Sequence, residues 1–380
     1  MTERQMQTEH EVRSCVASAH TVVVKVGSSS LTTPSGHLDV DKVGALVEVL
    51  AEAAKRGVRM VLVSSGAIAA GFGPLGFDAR PTDVSTQQAT ASVGQGVLMQ
   101  HYETGFARHG VRVGQILLTA DDTMHASRYR NAQRTLQRLL DLGVVPIVNE
   151  NDALATNEIR FGDNDRLSTL VANLVRADAL VLLTDIDGLY TAPPFKSGAK
   201  RVGFVSDIDW VIDHISVGGT VSGVGSGGMV TKLEAARIAV SSGIPVVLTS
   251  ADNIAVVFEG ASTGTAFAPA PRRDSARRLW IGFAAGPRGT LIADKGAAEA
   301  VLGGKASLLA AGVVEVRGDF SAGDPVWIDD EEGNHIAKGL SSFDSEEMPN
   351  TLGHDTTQLK RLLGEEYAHP LVHRDNLVLL

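Results

Sequence analysis

The chain has 380 residues and a formal charge of −10, with 44% hydrophobic but only 5% aromatic residues. Its core must therefore be built from Val, Leu, Ile and Ala, and it is long enough for two domains. The acidic balance suits a protein that handles small molecules and argues against a broad nucleic-acid footprint. Cys15 is the single cysteine, which excludes an intrachain disulfide or a cysteine-based zinc site.

Residues 1–20 mix charges throughout and contain no apolar signal-peptide core, so a mobile N-terminal extension is expected there. No apolar run is long enough to form a membrane helix, and the expected compartment is the cytoplasm. From Thr21 onward, short apolar runs recur: Thr21–Val26 (TVVVKV), Met60–Val63, Val144–Val148, Ala179–Leu183 and Pro245–Leu248. Continuous apolar strands arise when helices cover both faces of a sheet. Helical periodicity lies between them. Asp39–Arg56 places Val43, Leu46, Val47, Leu50 and Ala53 on one face before Gly57, Ser127–Leu142 ends at Gly143, and Asp165–Arg176 aligns Leu167, Leu170, Val171 and Leu174. The alternation predicts an α/β fold with a mainly parallel sheet between two helical layers over residues 21–268. Residues 269–280 are rich in Pro and Arg and read as a linker. Beyond it, Val313–Arg317 and Pro325–Asp329 sit between Gly/Asp turns, as expected of a small β-rich domain over residues 281–380.

Ligands of open α/β sheets bind beyond the carboxyl ends of the strands, and the unusual polar residues fall there. Lys25 interrupts an apolar strand just before Gly27-Ser28-Ser29-Ser30. A buried lysine needs an anionic partner, although an edge-strand lysine could also snorkel to water. Ser65-Gly66-Ala67 follows the second strand, either as a ligand-facing helix N-terminus or as an ordinary capped turn. Asn149–Asp152 and Phe161–Asp165 concentrate carboxylates and amides. Asp165 could cap the helix that follows, and Asn151 and Asp152 could make Asx turns. Finally, Gly223–Lys232 offers glycine amides that could cradle phosphates before Lys232, or it is a flexible loop. Its G-x-G-x-x-G match follows a polar loop instead of a strand, and Thr231 replaces the glycine that a Walker A lysine requires. The eleven histidines show no metal-ligand spacing, and no metal-binding residues are assigned.

The strings VVVKVGSSSL, VLVSSGAIAAG, VPIVNENDA, FGDND, LLTDIDGLYT and GSGGMVTKL, in this order, resemble the glutamate 5-kinases, amino acid kinases that carry a C-terminal PUA domain. The likeness runs from about Thr21 to the end of the chain. It implies ATP-dependent phosphorylation of the glutamate side chain to glutamyl 5-phosphate, the first step of proline biosynthesis, with Mg²⁺ and with proline as inhibitor. By resemblance, Lys25 and Lys232 contact the phosphates and Asp165 organises them. Ser65, Gly66, Asp152, Asp163 and Asn164 belong to the glutamate pocket. Lys25, Thr184, Asp185 and the run Ser226, Gly227, Gly228, Met229, Val230, Thr231 and Lys232 belong to the ATP site. A glutamyl-phosphate reductase partner and a homo-oligomer are also expected. The competing activities are another carboxylate or carbamate kinase of this fold, and RNA binding by the PUA-like part. The latter is disfavoured because residues 281–380 hold eight basic against sixteen acidic side chains, and phosphate neutralisation drives most RNA affinity.

Overall fold

The computed structural model describes residues 8–77, 81–119, 122, 126–154, 164–214, 228–270, 278, 281–282, 286–304 and 306–379. The chain divides into two compact units, with the main division after Arg273.

The first unit is organised around an eight-stranded sheet of order β3-β4-β2-β1-β5-β7-β8-β6. Its strands are β1 (Thr21–Val26), β2 (Arg59–Ser64), β3 (Arg112–Leu118), β4 (Val144–Glu150), β5 (Ala179–Thr184), β6 (Phe204–Val205), β7 (Val246–Ser250) and β8 (Thr265–Phe267). The pairs from β3 through β7 are parallel, whereas β8 runs antiparallel to β7. β1 and β5 are buried at every residue, as a sheet covered on both faces requires. β1 lies between β2 and β5, so Lys25 is in a central strand and cannot snorkel from a sheet edge.

The helices of this unit include α1 (Glu9–Ala17), α2 (Val40–Lys55), α3 (Ala67–Leu75), α4 (Val84–Ala107), α5 (Ala126–Asp141), α6 (Asn164–Leu174), α7 (Ile208–His214) and α8 (Met229–Ser241). In α2 the Asp39 carboxylate caps the amide of Lys42, and Val43, Leu46, Val47 and Leu50 face the sheet. α3 and α4 cross with backbone in contact. A Cβ on Gly94 would stand 1.8 Å from the Ala67 carbonyl oxygen, and one on Gly71 would stand 2.2 Å from that of Thr90. Only glycine permits this approach, and it fixes α3 behind the turn at Ser65-Gly66.

The expected mobile extension is corrected in part. From Thr8 onward it holds α1, opened by a capping box between Thr8 and Glu11. Val12 and Val16 join the main core. Arg13 is buried and donates to the carbonyls of Gly203 (3.1 Å), Gly264 (3.2 Å), Ala261 (3.3 Å) and Thr263, and to Glu9 (2.7 Å). A charged-looking sequence is docked here because its one buried cation finds backbone acceptors around β6 and β8.

The second unit has a five-stranded sheet of order β10-β9-β11-β12-β13. Its strands are β9 (Gly289–Ala293), β10 (Val313–Gly318), β11 (Pro325–Asp329), β12 (His335–Leu340) and β13 (Leu377–Leu379). β9 and β11 pair parallel, and the other pairs are antiparallel. Leu291, Val301, Val313, Val326, Ile328 and Val372 form its core. The linker expected over 269–280 lies almost wholly outside the described residues.

Candidate active site

β1 ends at Val26, and the chain turns through Gly27 into the 3₁₀ turn Ser28–Leu31. Lys25, one residue from the end of the strand, is 3% exposed. Its ammonium lies 3.6 Å from where a Gly27 Cβ would stand, so the side chain runs toward this turn. The charge is met by α6: the Lys25 ammonium pairs with Asp165 Oδ1. Asp165 is fully buried and sits in the first turn of α6.

The second oxygen of the same carboxylate holds α8. Lys232, 8% exposed, donates to Asp165 Oδ2 at 3.2 Å, and the Thr231 hydroxyl donates to it at 3.0 Å. One aspartate thus ties two lysines from different elements, and the three formal charges leave a net of one positive charge in a dry setting. A buried cation pair of this kind is costly unless a carboxylate or another anion meets it. The carboxylate of Asp165 thus grips three side chains, those of Lys25, Thr231 and Lys232.

Next to this triad lies a set of amides and hydroxyls. Gly66, with φ of 102°, starts α3 in the left-handed region that glycine favours. The Asn164 amide nitrogen lies within hydrogen-bond distance of the Ser64 carbonyl (3.0 Å), Ser65 Oγ (2.9 Å) and Asn149 Oδ1 (2.8 Å). Its carbonyl oxygen is buried without a hydrogen-bond partner. Asn149 in turn donates to Gln95 Oε1 at 2.9 Å. Ser64 Oγ lies 2.6 Å from the Tyr102 hydroxyl, and burial pushes that hydroxyl well above the usual tyrosine range despite this bond.

Lys25, Lys232, Thr231 and Asp165 are thus brought into direct contact, as are Ser65 and Asn164. Thr184 is buried at the end of β5, beside the end of β1, and its hydroxyl donates to Asp185 at 2.9 Å. Asp152 is half-buried in the turn after β4. Gly228 precedes α8, with Met229 half-buried and Val230 exposed in its first turn. Asp163, Ser226 and Gly227 lie outside the described residues. Gln95 and Tyr102, both on α4, are the contributors that sequence reasoning missed. They stand in a helix of small residues with no local motif to mark them.

Residues 20–250 match the amino acid kinase family, and residues 289–363 match the PUA domain. A glutamate 5-kinase of Bifidobacterium animalis subsp. lactis (strain AD011) is 70% identical over 376 residues, covering 99% of this chain and all of its own length. The chain belongs to the glutamate 5-kinases of the amino acid kinase family. A glutamate 5-kinase of Bifidobacterium longum (strain DJO10A) is 67% identical over 98% of this chain and 99% of its own. One of Streptomyces avermitilis (strain ATCC 31267) is 55% identical over 97% of this chain and 98% of its own. As in a family of kinases, the polar residues of this chain gather where the parallel strands end. Among the described residues no helix is long and apolar enough to cross a membrane.

Proposed function

We propose that this glutamate 5-kinase transfers the γ-phosphoryl group of ATP to the side-chain carboxylate of glutamate through the Lys25–Asp165–Lys232 triad. The observation that carries this reading is the single buried carboxylate that holds two buried ammonium groups from β1 and α8. Glutamate's side chain, with a pKa of about 4.3, is already ionised at neutral pH. Its oxygen attacks phosphorus, the bond to the bridging oxygen breaks, and ADP leaves with the electron pair. No proton moves in this step, so no general base is needed.

The chain's task is to align two anions and to neutralise charge spreading over the transferred group. Lys25 and Lys232 do the second, and Asp165 keeps both in place without taking a proton. Thr231, Gly228, Met229 and Val230 at the start of α8, with Thr184 and Asp185 after β5, border the nucleotide. Ser65, Gly66, Asp152 and Asn164 border glutamate, and the unpartnered Asn164 oxygen suits its ammonium. Mg²⁺ arrives with ATP as a substrate complex. Among the described residues no group of three His, Cys, Asp or Glu is placed to hold an ion, and Mg²⁺ commonly binds through phosphates and water with few protein ligands. Proline competing at the glutamate pocket, a reductase that consumes the labile acyl phosphate, and assembly into a homo-oligomer complete the proposal.

The test is ADP release that requires both glutamate and Mg²⁺, with hydroxylamine trapping the acyl phosphate and proline titrated in. Aspartate, acetylglutamate and carbamate serve as competing acceptors. Equal turnover with any of them would overturn the choice of glutamate.

A further inference from the structure

Gln95 lies on α4 and is 8% exposed, Asn149 ends β4 at 3%, and Asn164 opens α6 at 6%. The three amides form a chain whose polarity is fixed at two points. Asn149 Oδ1 accepts from the backbone amide of Glu150 at 2.8 Å, and a backbone N–H can only donate. The other end of Asn149 must therefore be its NH₂, which needs an acceptor, and Gln95 Oε1 is there at 2.9 Å. Asn164 meets Asn149 Oδ1 and the Ser64 carbonyl with its nitrogen. Its oxygen is thereby turned away from all of these partners. Gln95 Nε2 and Asn164 Oδ1, the two ends of the chain, are both buried and without a hydrogen-bond partner.

An orphaned donor on Gln95 has a cost that a purely structural residue at this position would not need to carry. We propose that Gln95 is a positioning residue for substrate selection. By accepting from Asn149 it keeps Asn149 turned toward Asn164, and so keeps the Asn164 oxygen presented as an acceptor for the substrate's ammonium group. This inference rests on the reading that Asn164 borders glutamate. Without Gln95 Oε1, the Asn149 NH₂ is buried with nothing to donate to, and Asn149 relaxes by rotating away from Asn164.

Four kinetic constants decide the matter: KM for glutamate, KM for ATP, kcat, and the preference for glutamate over glutarate, which has both carboxylates but no ammonium. For Gln95→Met, KM for glutamate should rise about tenfold, the scale of one neutral hydrogen bond, and the preference over glutarate should narrow by a similar factor. KM for ATP and kcat should stay within about twofold. Gln95→Glu keeps the acceptor and, as the neutral acid, a donor in place of Nε2. It should stay within about threefold of the parent for glutamate. A rise in both KM values together, or an unchanged glutarate preference in Gln95→Met, overturns the proposal. So does a rise of about tenfold or more in KM for glutamate in Gln95→Glu, and this outcome can be read even if Gln95→Met does not fold. Asn164→Ala separates the two levels. If it leaves KM for glutamate unchanged, the placement of Asn164 fails; if it raises KM while Gln95→Met does not, only the role of Gln95 fails.

Discussion

Lys25 in β1 and Lys338 in β12 are both buried lysines within β-strands, at 3% and 4% exposure, yet their surroundings differ in kind. Lys338 stands opposite Trp327 across the β11–β12 pair, with its ammonium 5.1 Å from the ring centroid. It donates to the Gly282 carbonyl at 3.4 Å, and Trp327 is itself stacked on His335. These are the contacts of a cation used as packing. Lys25 instead shares a fully buried carboxylate with Lys232. A buried lysine is therefore not by itself a sign of catalysis. What distinguishes Lys25 is that separate elements, β1, α6 and α8, deliver charges to one point at the ends of parallel strands.

The sharpest way to break this comparison is to remove the shared carboxylate. Asp165→Ala leaves two buried ammonium groups facing each other uncompensated, and kcat should fall by about a thousandfold, at the upper end for loss of one electrostatic element of a transition-state site. Asp165→Asn keeps the shape and loses the charge. Near-parental kcat in that variant, measured by ADP release at saturating substrates, would remove the organising role.

A paired substitution comes next in size. Lys25→Met should lower kcat by about a hundredfold, whereas Lys338→Met should leave kcat and both KM values unchanged. The second variant loses a cation–π contact and a long hydrogen bond, a stability change of about 1 kcal/mol that denaturant unfolding can read. If Lys338→Met were to reduce kcat, the small sheet would have to contribute to the chemistry, and the contrast between the two lysines would dissolve.

Most of this convergence was legible in the sequence where apolar runs set the strands. The run Thr21–Val26 coincides with β1, and Pro325–Asp329 with β11. Elsewhere the signal was masked by packing. α4 is a 24-residue helix that meets α3 through Gly94 and Gly71, so small residues replace the leucine stripe that marks α2. β3 is an edge strand with exposed and half-buried positions, and it lacks the continuous apolar run of β1. In the site, Lys25, Asp165 and Lys232 stood out as candidates because charged residues at strand and helix ends are conspicuous, and the family resemblance implied their roles. Gln95 could not, since a glutamine in a helix is ordinary until the fold places an asparagine opposite it. Arg13 was hidden for the same reason: its acceptors are backbone carbonyls some 190 to 251 residues away.

Arg13 supplies a third setting for a buried cation and the smallest, though most local, of the expected effects. It is held by the Glu9 carboxylate of its own helix and by several backbone oxygens, and the latter join α1 to the segments around β6 and β8. Arg13→Met should destabilise the chain by about 2 kcal/mol, because several buried carbonyls lose a charged donor at once. Cys15, the only cysteine in the chain, lies on the same helix. Burial, and secondarily the charge of Asp178, pushes its thiol up, so the thiolate that reacts is scarce while α1 stays docked. In Arg13→Met a thiol reagent should label Cys15 faster than in the parent at the same pH, with kcat per folded molecule unchanged. Unchanged labelling together with an unchanged unfolding midpoint would mean that Val12 and Val16 hold α1 in place and that the arginine merely fills its pocket.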